Sequence, residues 1–490
     1  MALRLFNTRT RSVEPFSTYE EGHARIYVCG LTPSAQAHLG HARSFLFFDV
    51  LRRYLVHQGL RVTYVQNVTD IDDRSIATAL ERGGSWLDII GEHYASFSAS
   101  MRKLGVSPPD FEPRATEHMP AIVTMIGDLL QSGHAYVAPD GVYYRVASFP
   151  RYGAFSGRNL DELLVGARVA VGEQKTDPLD FALWKFAKPG EPSWPTPWGA
   201  GRPGWHIECS AMSASLLGVP FDIHGGGTDL IFPHHENEIA QTEALVPGPM
   251  ANFWLHGGLL LFDGKKMSKS LGNFEPLAHL LERHDPQAIR LLFLQTGYRK
   301  PMNFTEEALA GATAGIRRLF DSYELLRAAP LVEPFADVAQ QRFDAFPQRF
   351  FQALDDDMNT SSALSVLFEV AAEARALAQS GAASALAGFL QQGLELLGLD
   401  PQARCEEEPQ LAADFVLRLQ AALDAGAGAA ALTLDRDALA AEAIAAVLAA
   451  RTAARQRKDF SLSDRLRASL AQVGILVKDE ASGSTWSIVE

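Results

Sequence analysis

The first third of the chain alternates short β-rich runs with amphipathic stretches. Arg25-Ile-Tyr-Val-Cys29 predicts a buried strand that Gly30 ends, and Arg61-Val-Thr-Tyr-Val65 predicts a second strand. Apolar residues at helical spacing lie between them, from Phe45 to Tyr54, and residues 74–105 predict further helices. A strand–helix–strand series of this kind indicates the α/β class, with a Rossmann-like, doubly wound parallel sheet. Ligands of such sheets bind beyond the carboxyl ends of the strands.

The pattern changes further along the chain. Residues 106–203 are richer in proline, glycine and β-formers, with a predicted hairpin over 133–145, and they indicate an insertion between two halves of the sheet. Strand-and-loop patterning returns in 205–300. Alanine and leucine at helical periodicity then predict an α-helical bundle from 305 to about 449. Residues 459–490 predict a helix over Leu462–Val473 and a small hairpin, that is, a small α+β end.

The chain is acidic overall, but its charge is unevenly distributed. The 490 residues contain 44 Lys+Arg and 58 Asp+Glu, a net charge of -14, which excludes a uniformly basic nucleic-acid-binding surface. Residues 351–450 hold 4 basic and 15 acidic side chains, a net charge of -11, so most of the net negative charge lies there. Residues 251–300 hold 7 basic and 4 acidic, and the last forty residues hold 7 and 5. These two segments are net positive and can face phosphate.

Cysteine usage and hydropathy indicate the compartment. Cys29, Cys209 and Cys405 are too few and too scattered for a disulfide framework, which favours a reducing cytoplasm. No run approaches the ~18 apolar residues of a membrane span. The N-terminal residues lack the apolar core of a signal peptide. We therefore expect a soluble cytoplasmic protein.

A glycine next to two histidines, in His38-Leu-Gly-His41, follows the first predicted strand and precedes the first predicted helix. The start of a helix offers free N–H groups and a positive dipole end, which favour phosphate, and Gly40 lets the backbone approach a ligand closely. The imidazoles of His38 and His41 can donate hydrogen bonds to phosphate oxygens as negative charge builds up. A histidine-containing N-cap turn without a ligand is the alternative interpretation.

A second motif lies some 225 residues later, in Lys265-Lys-Met-Ser-Lys-Ser-Leu-Gly-Asn273. The ammonium groups of Lys266 and Lys269, beside the Ser268 hydroxyl, suit stabilisation of a triphosphate during displacement at the α-phosphorus. The glycine spacing of a P-loop is absent, and a solvated basic loop is the alternative interpretation. The presence of both motifs in one chain makes nucleotide chemistry the more specific interpretation.

Thiol, imidazole and carboxylate side chains indicate a metal site near the predicted crevice. Cys29 ends the first strand, and His234 and Glu238 lie four residues apart, as on one face of a helix starting near Pro233. With Cys209 they supply two thiolates, an imidazole and a carboxylate, which can form a tetrahedral zinc site. The spacing alone does not choose between them and nearby histidines, and each cysteine could instead be a small buried hydrophobe. The rival ligands are His206, His224 and His235.

With these motifs, the chain resembles the cysteinyl-tRNA synthetase family of class I aminoacyl-tRNA synthetases nearly from end to end. The resemblance also rests on longer stretches, several of which lie beside the motifs. These are Tyr27-Val-Cys-Gly30, Val68-Thr-Asp-Ile-Asp-Asp73, Asp177-Pro-Leu-Asp-Phe181, Gly201 to Met212, Asp222 to Glu238, Asp355-Asp-Asp-Met-Asn-Thr360 and Gly483-Ser-Thr-Trp-Ser.

The resemblance implies a two-step reaction. L-cysteine attacks ATP, which is used with Mg²⁺, to give cysteinyl-adenylate and pyrophosphate, and the acyl group then passes to the 3′-terminal ribose of tRNA(Cys). The implied ATP-binding residues are His38, Gly40, His41, Lys266, Ser268 and Lys269, and the two histidines and two lysines are the implied catalytic residues. The implied ligands of one zinc ion per chain are Cys29, Cys209, His234 and Glu238.

The implied zinc site explains selectivity in physical terms. A thiolate forms readily on zinc, whereas a serine hydroxyl is harder to ionise and a weaker ligand. Because hydrophobic pockets separate near-isosteres by only ~100-fold, metal recognition can replace editing, and we expect no editing domain. Thr69, Trp205 and His224 match family positions that line the cysteine pocket. One segment departs from the family, which often reads Thr-Val-Tyr-Asp where Thr32-Pro-Ser-Ala35 stands here, so the contacts beside the pocket are expected to differ.

The resemblance also implies an order of domains, a monomer, and no membrane partner. The expected ranges are 1–105 and 204–304 for the two halves of the catalytic domain, 106–203 for the inserted connective region, 305–400 for the helical bundle and 401–490 for the tRNA-binding region.

Two alternative functions follow from the same residues. The related cysteine ligase of mycothiol synthesis adenylates cysteine at a similar site but lacks the long C-terminal extension, whereas Arg451 to Trp486 here matches the synthetase pattern. A regulator that binds tRNA without charging it would be expected to have lost one of the two nucleotide motifs, and both are intact.

Overall fold

The apolar run at residues 25–29 lies in the central sheet of this computed structural model. The structure describes residues 2–158, 174–266, 275–329, 337–378, 383–401, 419–420, 422–424, 440–457, 459–473, 475–480 and 483–488. The chain divides into two compact units, Met1–Asp400 and Pro401–Glu490.

The first unit contains the following helices and strands in chain order. Its first half contains β1 (Arg4–Asn7), β2 (Ser12–Pro15), β3 (His23–Leu31), α1 (Leu39–His57), β4 (Arg61–Val68), α2 (Asp73–Arg82), α3 (Trp86–Lys103), α4 (Met119–Gln131), β5 (Ala135–Ala138), β6 (Gly141–Tyr144), β7 (Phe181–Phe186) and β8 (Gly201–Pro203). Its second half contains α5 (Trp205–Leu217), β9 (Phe221–Gly227), α6 (Glu236–Glu243), β10 (Ala251–Gly257), β11 (Leu260–Phe262), β12 (Lys265–Lys266), α7 (Leu277–Arg283), α8 (Pro286–Leu294), β13 (Met302–Phe304), α9 (Glu306–Arg327), α10 (Asp337–Asp355), α11 (Thr360–Leu377) and α12 (Ala383–Leu396).

Four parallel strands form the central sheet, in the order β10-β9-β3-β4. Two of them precede the inserted region and two follow it, so the halves of the sheet meet where β3 pairs with β9. The predicted α/β class with a parallel sheet is therefore confirmed. The carboxyl ends of β3 and β9 open onto one edge, which is where ligands of such sheets bind.

Helix α1 packs one face against this sheet because its apolar residues recur at helical spacing. Phe48, Leu51 and Leu55 are fully buried, and burial of each contributes about 1.5–3 kcal/mol. The ring of Phe48 approaches β9 so closely that a Cβ at Gly225 would lie 2.2 Å from it. Gly225 therefore sets how closely α1 approaches the sheet.

The inserted region contributes an antiparallel sheet in the order β5-β6-β7-β8. The predicted hairpin over 133–145 is confirmed as β5 and β6, which are joined by a two-residue turn at Pro139-Asp140. Residues 159–173 of this region lie outside the described residues.

The helices α9 to α12 form a helical bundle, but it does not extend to residue 449 as the apolar pattern predicted, because the first unit ends at Asp400. A buried ion pair joins α8 to α1, and the same arginine contacts the end of the bundle: Arg290 Nη2 donates to Asp49 Oδ2 at 2.5 Å, and Arg290 Nε donates to the Leu397 carbonyl at 2.7 Å. Both side chains are almost fully buried, so loss of Asp49 would leave the buried Arg290 charge uncompensated, whereas Asp49 also accepts from Arg53 Nε at 2.9 Å. The contact therefore ties α1, α8 and the end of α12 together.

The second unit contains α13 (Ala440–Gln456), α14 (Phe460–Gln472), β14 (Ile475–Glu480) and β15 (Gly483–Ile488). The two strands pair antiparallel, which confirms the predicted hairpin. Its own apolar core includes Ile444, Leu466 and Ile475. In the described parts of both units, no helix has the length and apolar character needed to cross a bilayer.

Two local predictions were wrong. The first strand does not end at Gly30, because β3 continues to Leu31. The helix expected to start near Pro233 starts at Glu236, because Phe232 is extended (φ -140°, ψ 132°) and Ile231–His235 forms a wide, π-type turn. His234 therefore lies in the turn and Glu238 in the first turn of α6.

Candidate active site and metal centre

Four buried side chains from separate segments meet at the carboxyl end of the central sheet. Cys29 comes from β3, Cys209 from α5, His234 from the turn before α6, and Glu238 from α6. Their candidate ligand atoms all lie within 4.8 Å of one another. The structure thus brings together the four residues that the sequence resemblance selects.

A second grouping overlaps the first. Cys29, His224, His235 and Glu238 satisfy the same distance limit. The hydrogen bonds do not separate the two groupings, because a histidine of each contacts Glu238: His224 Nε2 lies 2.8 Å from Oε2, and His234 Nε2 lies 3.0 Å from Oε1. The ligand chemistry does separate them. The grouping with Cys209 contains two thiols, which are the softer donors that zinc favours. We therefore prefer that grouping as the candidate zinc centre.

The charges of the candidate ligands fit a cation. Burial raises the pKa of Cys29 well above its usual range, whereas a hydrogen bond with Cys29 lowers the pKa of Cys209 to about 6. Burial by itself would raise the pKa of Glu238, but the imidazoles of His224 and His234 hold it well below its usual range. Burial would likewise lower the pKa of His234, and the Glu238 carboxylate instead raises it to about 10. A buried thiolate and carboxylate thus hold a proton on His234, a role that a metal cation can take over.

Outer hydrogen bonds orient these side chains. Nδ1 of His234 lies 2.9 Å from Nδ1 of His206, and Nε2 of His234 lies 3.0 Å from Glu238 Oε1. Asn67 Oδ1 accepts from the Gly30 N–H at 2.8 Å and from Cys209 Sγ at 3.6 Å. Such outer partners fix the tautomer and orientation of metal-binding residues.

From the sequence, His206 and His235 were predicted only as rival metal ligands. Asn67 and His256 were not predicted as site residues at all. In the structure, His206, His224, His234, His235 and His256 cluster around the same centre, with ring centroids 4.6 to 5.7 Å apart between neighbours. The signal that could have indicated the cluster is the density of histidines at the predicted strand ends over residues 206–256.

The three residues expected to line the cysteine pocket lie beside the candidate zinc centre. The ring of Trp205 lies 4.3 Å from that of His234 and the residue is 44% exposed, so it can contact a ligand. His224 contacts Glu238 as described, and the Thr69 hydroxyl accepts from Asn67 Nδ2 at 3.4 Å. The segment Thr32–Ala35, whose sequence differs from that of the family, forms a tight turn in which the Ser34 N–H donates to the Thr32 carbonyl at 2.8 Å.

The two histidines of the first motif cap α1. His38 is the N-cap residue: its Nδ1 accepts from the Gly40 N–H at 3.0 Å, and its own N–H donates to Nδ1 of His41 at 3.2 Å. An imidazole that accepts at Nδ1 carries its proton on Nε2 when neutral. Burial lowers the pKa of His38 and lowers that of His41 to about 3, so both rings are neutral near pH 7. Each ring therefore presents an Nε2–H donor at the helix N-terminus.

Gly40 packs directly on this cap. A Cβ there would lie 2.9 Å from the His38 ring, so the glycine makes room for the stacked pair of imidazoles, whose centroids are 4.0 Å apart. The N-cap interpretation and the phosphate interpretation are thus compatible, because capping occupies Nδ1 and leaves the proton on Nε2.

Of the second motif, the structure describes only the beginning. Lys266 ends β12, where its backbone pairs with Leu261 of β11. Ser268 and Lys269 lie outside the described residues, and their roles stay predictions.

A pair of substitutions at His41 separates capping from ligand contact. His41→Asn keeps an acceptor at the Nδ1 position and removes the Nε2–H donor, whereas His41→Gln keeps a donor near Nε2 and removes the cap. Loss of a hydrogen bond to a charged phosphate costs about 1.5–3 kcal/mol, roughly 10- to 100-fold. We expect that loss in ATP–pyrophosphate exchange for His41→Asn, with an unchanged melting temperature, and a smaller loss for His41→Gln. The opposite order would show that His41 acts only as a cap.

Comparisons with known proteins agree with this geometry. The family model described as the class I (C) tRNA synthetase catalytic domain matches residues 15–314, the DALR domain model matches 349–401, and the cysteinyl-tRNA ligase anticodon binding domain model matches 436–486. The cysteine–tRNA ligase of Methylococcus capsulatus is 46% identical over 494 residues, covering 99% of both chains. That of Azotobacter vinelandii is 44% identical over 493 residues, covering 100% of both.

Solved structures of lower identity share the fold. Methionyl-tRNA synthetase of Mycobacterium tuberculosis, with bound methionyl-adenylate, aligns with a TM-score of 0.55 at 16% identity over 81% of this chain and 94% of its own. A leucyl-tRNA synthetase of Agrobacterium radiobacter, in a ternary complex with tRNA, aligns with a TM-score of 0.57 at 11% identity over 78% and 84%.

Proposed function

Because the chain belongs to the cysteine–tRNA ligase family of class I aminoacyl-tRNA synthetases, we propose that it activates L-cysteine with ATP and transfers it to tRNA(Cys). The observation that carries the cysteine assignment is the buried group of Cys29, Cys209, His234 and Glu238 beside the exposed ring of Trp205. A pocket whose recognition element is a metal centre suits a substrate that carries a thiol.

We assign the activation step to the residues at the carboxyl end of the sheet. ATP, with Mg²⁺, lies at the N-terminus of α1, where His38 and His41 donate from Nε2 to the phosphate oxygens. The carboxylate of cysteine attacks the α-phosphorus, and pyrophosphate leaves. Lys266, Ser268 and Lys269 are assigned to the charge that builds up on the leaving group. The 3′-terminal ribose hydroxyl of tRNA then attacks the adenylate carbonyl and AMP leaves.

Zinc fits the candidate centre, and Cys29, Cys209, His234 and Glu238 would hold it. When bound, it would supply a Lewis acid that favours the thiolate of cysteine over the hydroxyl of serine. Of the surrounding residues, His206 and His224 orient His234 and Glu238. Thr69 and Trp205 are assigned to the cysteine pocket.

One comparison tests the whole proposal against the alternative ligase. Purified protein is given cysteine and ATP with either tRNA(Cys) or an amino-sugar acceptor, and the acylated product is measured. We expect charging of tRNA only, because residues 436–486 match an anticodon binding domain. Coupling to the amino sugar without charging of tRNA would overturn the proposal.

We propose that the domains divide the work. Residues 1–105 and 204–304 form the catalytic domain, 106–203 the inserted region, 305–400 the bundle, and 401–490 the region that binds the anticodon side of tRNA. The chain is proposed to act as a monomer in the cytoplasm, where tRNA and ATP for translation are found.

Truncation after Asp400 tests this division. The first unit has its own core, so we expect it to keep its cysteine-dependent ATP–pyrophosphate exchange. Loss of residues 401–490, which are assigned to the anticodon side of tRNA, should raise the tRNA concentration needed for half-maximal charging by ~10-fold or more. Circular dichroism would establish that the truncated chain is folded. An equal loss of exchange and charging in a folded truncation would contradict the division.

A further inference from the structure

A cavity of about 320 Å³ lies beside the histidine cluster, and none of the ATP, cysteine or metal contacts assigned above uses its residues. Its size is at the lower end of the ~300–1,000 Å³ range of pockets that hold small ligands. Phe155 and His256 are its buried lining residues, whereas Arg11 is exposed and the Arg299 side chain is 41% exposed. The two guanidinium groups therefore lie on the solvent side of the cavity.

The lining combines aromatic rings, guanidinium groups and hydroxyls. Phe6 and Phe155 contribute rings, and Thr8, Ser156 and Thr228 contribute hydroxyls. The Thr228 hydroxyl is shielded from solvent and has no hydrogen-bond partner among the described residues. Aromatic rings that stack on bases, together with cations that contact the backbone, are the elements that bind single-stranded nucleic acid. The cavity thus has the chemistry of a nucleotide site.

The position of Arg299 is set by an unusual turn in the helical bundle. Asp357 Oδ2 accepts from Arg299 Nε at 2.7 Å, and Asp357 Oδ1 accepts from the Tyr298 hydroxyl at 2.9 Å and from the Phe6 N–H at 2.8 Å. Asp357 and the next residue, Met358, both have left-handed backbones (φ 56° and 51°). Left-handed non-glycine residues cost energy and cluster at functional sites. These contacts hold the Arg299 guanidinium 4.2 Å from the Phe6 ring centroid.

Arg11 is held on the other side of the cavity by a glycine. Its guanidinium packs so closely on Gly157 that a Cβ there would lie 2.1 Å from a guanidinium nitrogen. The segment around Gly157 is itself fixed by Glu236, whose carboxylate accepts from the N–H groups of Gly153 and Ser156 at 2.8 Å each. Glu236 opens α6, the helix that carries Glu238. The cavity wall and the candidate zinc centre are therefore linked through α6.

The floor of the cavity, formed by His256, adjoins the candidate active site. His256 Nδ1 lies 2.8 Å from the Thr8 hydroxyl, and His256 Nε2 lies 2.8 Å from His235 Nδ1. Of the three reactants, ATP is assigned to the start of α1 and cysteine to the metal side. The third reactant is the end of a tRNA chain, which is single-stranded and must reach the same site.

We propose that this cavity receives the 3′-terminal nucleotide of tRNA, with its base between Phe6 and Phe155 and its phosphodiester at Arg11 and Arg299. The inference rests on the proposed function, because it locates the acceptor end of that reaction's second substrate. It makes Asp357 a positioning residue that acts through Arg299.

The first test uses the full chain with Arg11→Met, Arg11→Lys and, as a matched control at an exposed arginine away from the cavity, Arg82→Met. Two rates are measured: cysteine-dependent ATP–pyrophosphate exchange without tRNA, and single-turnover transfer from preformed adenylate to tRNA(Cys). For Arg11→Met we expect exchange within twofold of wild type and a ~10-fold higher tRNA concentration for half-maximal transfer. In a plot of the logarithm of that concentration against the logarithm of the salt concentration, the slope should be smaller by ~0.7 for Arg11→Met. Arg11→Lys should restore the wild-type slope.

Other outcomes overturn the proposal. If exchange falls in parallel with transfer, the cavity serves ATP and not tRNA. If transfer is unchanged, Arg11 does not contact the acceptor end. Failure of the wild-type enzyme to charge tRNA would instead contradict the proposed function, so the two failures are distinguishable.

A second test locates the terminal base directly. A tRNA(Cys) that ends in 8-azidoadenosine is cross-linked to the wild-type chain and the attached peptide is identified. Attachment within residues 6–11 or 153–157 supports the proposal, and attachment elsewhere overturns it.

Discussion

Cys209→Ala is expected to lower the zinc content from about one ion per chain to about a tenth or less, and to slow cysteine-dependent ATP–pyrophosphate exchange ~1000-fold. Cys209 lies in a fully buried group of four candidate ligand atoms and has a pKa lowered to about 6 by its hydrogen bond with Cys29. It is therefore the thiol that is most readily available as a thiolate. Its loss leaves three ligands and removes the recognition element for the substrate thiol.

Metal analysis and exchange assays on the same preparation measure both effects. Cys405→Ala is the matched control, since Cys405 is the third cysteine of the chain and is not one of the four zinc ligands that the family resemblance implies. It should keep full zinc and full exchange. If Cys209→Ala kept one zinc per chain and normal exchange, the overlapping group of His224 and His235 would be the better candidate.

Lys269→Ala is expected to slow the same exchange reaction ~100-fold or more, with little change in the melting temperature. The ammonium group is assigned to the negative charge that builds up on the phosphates as pyrophosphate leaves. Because this charge is larger in the transition state than in bound ATP, the rate constant should fall more than the affinity for ATP. Measuring exchange over a range of ATP concentrations separates the two quantities.

Lys265→Ala is the control for Lys269, because Lys265 is an exposed lysine in the same segment that pairs through its backbone with Phe262. It should exchange at close to the wild-type rate. Equal losses in both variants would indicate a general effect of positive charge. Unchanged exchange in Lys269→Ala would remove that residue from the activation step.

The extent to which the sequence predicted the site differs from one motif to another. The histidine motif was predicted as a nucleotide site, but the position of the ring protons could not be predicted from the sequence. It depends on the hydrogen bonds that Nδ1 of His38 and Nδ1 of His41 each accept in the structure. At the metal centre, the residue spacing admitted several histidines. Only the arrangement of β3, α5 and α6 in space shows that two overlapping groups exist and that Glu238 belongs to both.

The helix predicted to begin near Pro233 shows why local patterns fail at a site. Spacing of four residues between His234 and Glu238 suggested one continuous helix, yet Phe232 is extended and α6 starts later. His234 Nε2 still lies 3.0 Å from Glu238 Oε1. Contacts with His206 hold His234 in place there, and no local propensity encodes a contact across 28 residues.

By itself, the sequence determined the α/β class, the parallel sheet, the helical bundle and the short hairpins, because hydrophobic periodicity and turn residues act over a few neighbouring positions. It also determined the family, through motifs spread over the whole chain. Only the tertiary structure decided which side chains meet. It places Asn67 and His256 around the candidate zinc centre, and it brings Arg11 and Arg299 to one cavity. These depend on contacts between residues up to several hundred positions apart, such as Phe6 with Asp357, and packing in three dimensions alone brings such residues together.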